Sequence, residues 1–256
     1  MRSRWLPPRE RVRSDVVLRL LVRTFSEVCL TAGTLILLFV AYVLLWTGVK
    51  ADRAMDGERA GLRDRWAAAA PAAAPQPASS APQAAPAEPA APAEPAPPPY
   101  PAGRAFAQMY VPRFGPDWVK PVLEGTDAEL LKKGLGHYAA TAPLGATGNF
   151  SVAGHRRTYG DPFKDFPELR AGDEVIVKDE STWYTYTVRG GPLRTLPTRV
   201  GVVAPVPEKS PFTTPGRYLT LTTCDPEWGH SHRLVVWAEL TGARPVGQGP
   251  PEGLSG

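Results

Sequence analysis

The sequence of 256 residues has only two cysteines, Cys29 and Cys224. A framework of several disulfides is therefore excluded, together with the small folds that depend on such bridges. Cys29 lies in a long apolar run, so Cys224 is the one thiol available to a folded domain. A solitary thiol outside the membrane is exposed to oxidation, and we therefore expect Cys224 to have a chemical use.

An excess of charge of one sign is also missing. The formal net charge is +4, and residues 104–244 carry 17 basic and 15 acidic side chains. A nucleic-acid partner would need a basic stripe, and this balance supplies none. We therefore expect no nucleic-acid partner.

Charge is absent altogether from Val28 to Val49, a run of 22 residues. As a helix, this run would be roughly 33 Å long, which is enough to cross a bilayer. It is apolar on every face, which disfavours a buried core helix, and it is longer than a signal peptide. The residues before it, 1–27, contain seven arginines and favour a cytoplasmic N-terminal tail. We expect a single-pass cell-membrane protein whose residues beyond the span are extracellular.

Residues 50–103 are predicted to be an extracellular linker in two parts. The first part is charged and has helical character as far as Trp66. The second, residues 67–103, is rich in alanine and contains twelve prolines, so it cannot bury a core and should be extended. It suits a stalk that reaches on the order of 100 Å, although a linker without a spacing role is the alternative.

Residues 104–244 change character and predict a domain of short strands. Gly, Pro and Asp bound alternating apolar segments, and only residues 127–133 suggest a helical turn. Residues 245–256 are rich in Gly and Pro and are predicted to be a flexible tail. An all-β barrel or sandwich follows. The predicted strands are 106–112, 149–154, 174–178, 183–189, 200–203, 218–223 and 233–240.

The stretch YLTLTTC, residues 218–224, alternates so that its leucines share one face and Cys224 lies on the other. The same alternation in NFSVAGH and RLVVWAEL sets His155 and Arg233 apart from their apolar neighbours. All three residues lie at strand ends. If the apolar faces form one barrel interior, all three side chains project to its outer wall, which permits a groove there.

These three side chains suit acyl transfer through a thioester. A thiolate is the nucleophile, and a free thiol with a pKa near 8.5 is only partly ionised at neutral pH. Histidine can give a proton to a leaving amine, and arginine, always protonated, can donate to an oxyanion. His230 and His232 also form C-x5-H-x-H with Cys224, but no fourth ligand is evident, and we expect no metal and no cofactor.

Several segments resemble one family, the sortases, in order and at similar spacing. TLTTC at 220–224 is followed after nine residues by Arg233, and AGHR at 153–156 resembles the segment with the catalytic histidine. FGPDWVKPVLEG at 114–125 and GHYAATAPLGATGNF at 136–150 are similar to class E sortases, the housekeeping type of high-GC Gram-positive bacteria. The resemblance implies an eight-stranded β-barrel and a membrane-anchored cysteine transpeptidase.

By this resemblance, the substrate is a surface protein with an LAXTG- or LPXTG-like signal, cut between Thr and Gly. It would be transferred to a cell-wall amine such as that of lipid II. Cys224 would be the nucleophile, His155 the general acid/base and Arg233 the oxyanion or substrate stabiliser. The expected substrate-binding residues are Tyr138, Thr223 and His137.

One departure is Asp225, which follows the cysteine where class E sortases often have histidine. An acid that faced the thiol would oppose its ionisation, and we expect it to point elsewhere. Two other functions stay open: an L,D-transpeptidase-like peptidoglycan cross-linker, although its SHGC-like motif is absent, and an inactive wall-associated scaffold. Tyr138 has packing as an alternative role, and Arg233 has a surface ion pair with Glu239.

Overall fold

The computed structural model describes residues 8–42, 46–69 and 100–254. The chain divides into two units, residues 1–47 and 48–256. Most of the predicted stalk, residues 70–99, lies outside the described residues, as do the last two residues of the predicted tail.

The first unit contains helix α1, Pro8–Ala41. Its apolar part, Val16–Ala41, has a mean hydropathy of 1.8 and is fully exposed, so α1 is a candidate membrane anchor. This segment begins and ends earlier than the predicted Val28–Val49. The prediction required a charge-free run, whereas the helix also includes the pair Arg23 and Glu27, whose side chains lie 2.9 Å apart.

Helix α2, Thr47–Ala69, lies in the second unit from its second residue onward and matches the predicted helical character as far as Trp66. The strands that follow form one sheet in the order β6-β5-β1-β2-β3-β4-β8-β9, and pairing of β6 with β9 closes it. The predicted eight-stranded barrel is therefore confirmed, and β7 is an additional strand paired with β9 outside the ring. The strands are β1 Ala105–Tyr110, β2 Val119–Glu124, β3 Leu135–His137, β4 Gly148–Ala153, β5 Glu174–Lys178, β6 Thr182–Val188, β7 Leu193–Thr195, β8 Arg217–Asp225 and β9 His232–Pro245.

The barrel interior is filled by the apolar faces that the sequence pattern predicted. Phe150 and Val152 of β4 pack with Leu219 and Leu221 of β8 in a single buried cluster. The opposite face of β8 is also covered, because Thr220 donates a hydrogen bond to Asn149 and both side chains are buried. Only the strand ends near Cys224 remain open on that face, and they are where the candidate site lies.

The predicted strand at 200–203 is wrong: Val200–Val203 is a turn of 3₁₀ helix. Its β-branched residues favour a strand in isolation, but here Val202 packs on Val235 and Trp237 outside the barrel. The Trp237 indole N–H also donates to the carbonyl of Val202 at 3.0 Å. This carbonyl would accept a hydrogen bond from a neighbouring strand if the segment were part of a sheet.

Two strands of the barrel were not predicted. β2 contains Pro121, which cannot donate to a ladder and lowers the strand signal. β3 has only three residues. The predicted helical turn at 127–133 is present as α3, Ala128–Leu131.

Candidate active site

The parallel pairing of β4 with β8 places His155 beside Cys224. Paired residues differ by 69 in number, from Gly148 with Arg217 to Ala153 with Thr222. The register continues past the strand, since the Gly154 N–H donates to the Thr222 carbonyl at 3.1 Å. The next residues at this offset are His155 and Cys224.

The antiparallel pairing of β8 with β9 places Arg233 on the other side of Cys224, as its direct partner. Neighbouring strands lie about 4.8 Å apart, so the three residues form a row with the thiol in the middle. Paired residues of neighbouring strands share a face, and all three side chains are half-buried. The structure thus brings together the three residues that the sequence pattern singled out.

The surroundings of the His155 imidazole favour its neutral form, which can accept a proton. Its Nε2 is buried and has no hydrogen-bond partner among the described residues. Burial lowers the pKa of His155 below its ordinary value of 6.5, and the nearby positive charge of Lys132 lowers it further. The imidazole is therefore neutral at neutral pH, and one of its ring nitrogens can accept a proton.

The guanidinium of Arg233 is held by the turn between β8 and β9. Its Nη1 donates to the carbonyls of His230 and His232, at 3.0 Å each. Its remaining N–H groups have no partner within the part of the chain that the structure describes. The alternative surface pair with Glu239 is not formed, because that carboxylate binds Arg189 at 3.0 Å.

Asp225 joins its own strand, β8, to the segment after His155 and to β7. Its carboxylate accepts hydrogen bonds from Arg156 and from Arg194, each at 2.6 Å. Side chains alternate along the chain, so Asp225 and Arg156 face away from Cys224 and His155. This arrangement agrees with the expectation that Asp225 points elsewhere. Sequence reasoning missed the two arginines. Arg156 lies at the same offset of 69 from Asp225 once the register is known, whereas Arg194 comes from β7.

A second bridge lies farther along the same two segments. Arg157 binds the carboxylate of Glu227, and its guanidinium lies 5.3 Å from the ring of Trp228, which is exposed. The loop after His155 is therefore tied to the turn after Cys224 at two successive points. These ties fix the histidine relative to the thiol.

The three expected substrate-binding residues lie in different surroundings. Tyr138 is half-buried, and its hydroxyl is 3.0 Å from that of Thr222, two residues before Cys224. Thr223 is only 2% exposed and donates to the Gly154 carbonyl at 2.8 Å. His137 is only 1% exposed, with Nδ1 at 2.6 Å from the Glu124 carboxylate. Tyr138 is thus the one of the three placed to meet a ligand without rearrangement.

The two histidines of the C-x5-H-x-H pattern do not converge on the thiol. The His232 ring lies 3.2 Å from Arg194 and 3.0 Å from the Ser231 hydroxyl. Among residues 8–42, 46–69 and 100–254, no group of three or more His, Cys, Asp or Glu side chains is arranged to hold a metal ion.

Comparison with known proteins points to one family. The model of the Sortase domain matches residues 109–241. Sortase SrtE1 of Streptomyces coelicolor is 34% identical over 239 residues, which are 91% of this chain and 60% of the relative, so the chain spans about three fifths of that protein. Sortase SrtE2 of the same organism is 31% identical over 226 residues, which are 86% of this chain and 81% of the relative.

Solved structures agree with these relatives. Sortase E from Streptomyces avermitilis is 62% identical, with a TM-score of 0.58, and the match covers 60% of this chain and 99% of that one. Sortase E1 from Streptomyces coelicolor, solved with a tripeptide in its active site, is 38% identical, with a TM-score of 0.56, and the match covers 59% of this chain and 97% of that one.

Proposed function

Because the chain belongs to class E of the sortases, a family of cysteine transpeptidases, we propose that it cleaves surface proteins at a C-terminal LAXTG- or LPXTG-like signal. Cleavage falls between Thr and Gly, and the surface protein passes to an amine of a cell-wall precursor such as lipid II. The observation that carries the proposal is the row of His155, Cys224 and Arg233 on three adjacent chain segments.

The row supports a complete acyl transfer. As the Cys224 sulfur attacks the threonine carbonyl carbon, its proton passes to the imidazole of His155. Arg233 donates to the oxyanion that forms on the carbonyl oxygen. The C–N bond to glycine then breaks, and His155 returns the proton to the leaving amine, which leaves a thioester on Cys224.

The second half of the reaction reverses these roles. The acceptor amine attacks the thioester carbon while His155 takes its proton, and the Cys224 sulfur leaves and is reprotonated. The product is an amide between the surface protein and the cell-wall precursor. No metal or cofactor enters either half.

The location follows from the same proposal. Helix α1 anchors the protein in the cell membrane, the N-terminal tail is cytoplasmic, and the barrel is extracellular, where surface proteins and wall precursors meet. The exposed apolar segment Val16–Ala41 supports this anchoring.

The 256-residue protein in detergent, incubated with an LAXTG peptide, is expected to gain the mass of the acyl fragment on Cys224. Hydroxylamine should release it, because thioesters react readily with this nucleophile. Adding candidate amines and weighing the products then identifies the acceptor. Absence of an adduct and of cleavage with both LAXTG and LPXTG peptides would favour the scaffold alternative, whereas an adduct formed only from peptidoglycan stem peptides would favour the L,D-transpeptidase alternative.

Tyr138 is proposed to set the choice between alanine and proline at the second signal position. Its ring flanks the strand of Cys224 through the contact with Thr222. Tyr138→Ala should open this side of the groove and move the LAXTG-to-LPXTG ratio of kcat/KM toward one. Tyr138→Phe, which keeps the ring and loses the hydroxyl, is the matched control and should retain most of the preference. An unchanged ratio in the alanine variant would remove Tyr138 from this role.

A further inference from the structure

Helix α2 packs against the barrel through an apolar face that is hard to recognise in the sequence, because charged residues are spread along the helix. Ala51, Met55 and Leu62 are buried, although the helix contains nine charged residues. Leu62 contacts Ala105 of β1 and Leu123 of β2. The helix that precedes the Pro/Ala-rich segment is therefore part of the same packed unit as the barrel.

The C-terminal half of α2 is fixed by polar contacts as well. Arg65 donates to the carbonyl of Ala105 at 2.7 Å. The Lys178 ammonium of β5 lies 4.0 Å from the centre of the Trp66 ring, within cation–π range. Together with Leu62, these contacts hold the helix in one position on the sheet.

The N-terminal half of α2 meets the loop that follows His155. A Cβ added to Gly160 would lie 2.4 Å from Cε of Met55 and 2.8 Å from Oδ1 of Asp52. These distances leave no room for a side chain, so the helix and the loop backbone are in direct contact. The same loop carries Tyr159, whose ring centre is 5.1 Å from that of His155.

This loop has an unfavourable backbone that its surroundings must maintain. Residues 158–161 have φ values of +70°, +52°, +79° and +47°, and only the third is glycine. Residues other than glycine rarely adopt this left-handed backbone conformation, and it persists where the neighbouring structure imposes it. Three supports are present: the contact with α2, the ion pair of Arg157 with Asp161, and the Lys132 ammonium 5.3 Å from the Tyr159 ring centre.

We propose that α2 belongs to the catalytic apparatus, with Met55 as a positioning residue that holds the 158–161 loop and thereby keeps Tyr159 against the His155 imidazole. This inference rests on the proposed function for its effect on turnover, but not for its effect on the imidazole. It assigns the segment between the apolar helix and the Pro/Ala-rich segment a role in the reaction.

Tyr159 brings this loop against the imidazole of His155, and burial is the main cause of the lowered pKa of that histidine. The charged or titratable groups around the imidazole are Lys132, after α3, Tyr159 in its own loop, Cys224 on β8 and Arg233 on β9. If the loop loosens, water reaches the imidazole and the charged form becomes less costly. The pKa of His155 then rises toward its ordinary value.

The test is Met55→Ala in the 256-residue protein. We expect kcat for the LAXTG peptide to fall on the order of 10-fold with KM unchanged, because the histidine is misplaced relative to the thiol. We also expect an upward shift of the His155 pKa in an NMR titration, with the signal assigned from His155→Gln. Met55→Leu, which refills the contact, should restore both values. Arg53→Ala, an exposed position on the same helix, should change neither.

A merely structural role would lower the melting temperature of Met55→Ala and leave kcat and the His155 pKa unchanged in the folded protein, which would overturn the proposal. If Met55→Ala does not fold, Tyr159→Leu tests the same link from the loop side, and wild-type turnover and pKa in that variant would also overturn it. Should the wild-type protein fail to cleave any sorting peptide, the proposed function fails, while the titration still decides whether α2 governs the imidazole.

Discussion

Cys224→Ala is expected to abolish the acyl adduct and the cleavage of LAXTG peptides. The sulfur is the only nucleophile in the row, and neither His155 nor Arg233 can take its place. Loss of the nucleophile from an enzyme that works through an acyl intermediate costs on the order of 10⁶ in kcat. Cleavage should therefore fall below detection, while the fold remains, because a half-buried side chain is shortened by one atom.

The chain provides its own matched control for this experiment. Cys29 is the only other cysteine, and it lies exposed on α1. Cys29→Ala should keep full activity and accept the acyl group, so that intact mass places the adduct on Cys224 alone. Cleavage by Cys224→Ala at the wild-type rate, or an adduct that disappears in Cys29→Ala, would contradict the assignment of the nucleophile.

The alternation of the strands made the central part of this site predictable from sequence. Leu219 and Leu221 lie on the inner face of β8, and alternation therefore places Cys224 on the outer face. His155 and Arg233 follow by the same rule on their own strands. What alternation cannot give is the register between β4 and β8, since these strands are far apart in the chain, and therefore it could not show that the three residues lie side by side.

Residues whose surroundings are made by distant segments were less predictable. His137 precedes Tyr138 in one motif, but its partner Glu124 on β2 draws it into the interior. Asp225 was expected to point away from the thiol, but the two arginines that bind its carboxylate, Arg156 and Arg194, come from other chain segments. In both cases the partner comes from a different strand or loop, so no pattern around the residue itself reveals it.

Helix α2 shows the same limitation at a larger scale. Its charges suggested a solvated linker, and only Ala51, Met55 and Leu62 form its buried face. Three apolar positions spread over nearly three turns give a weak periodic signal. Their importance depends on the matching surface of β1 and β2, which no pattern within the helix itself can reveal.

His155→Ala is expected to lower kcat by about 10²–10⁴, the usual contribution of general acid–base catalysis. Without the imidazole, the thiol has no base beside it and the leaving amine has no acid. Added imidazole should restore part of the activity by entering the space left by the side chain. Turnover of His155→Ala near that of the wild type would show that another group moves the proton.

The pH dependence of the wild-type protein gives an independent test of His155. A neutral imidazole must accept the thiol proton, so kcat/KM should fall on the acid side as His155 becomes protonated. Burial and Lys132 lower the pKa of this group, so the midpoint should lie below 6.5. Lys132→Met removes one positive charge and should move the midpoint to higher pH, since the imidazolium is then less disfavoured. Lys133→Met changes the exposed neighbouring lysine and is the matched control. If the midpoint of the pH profile does not move in Lys132→Met, the fall in kcat/KM on the acid side is not due to protonation of His155.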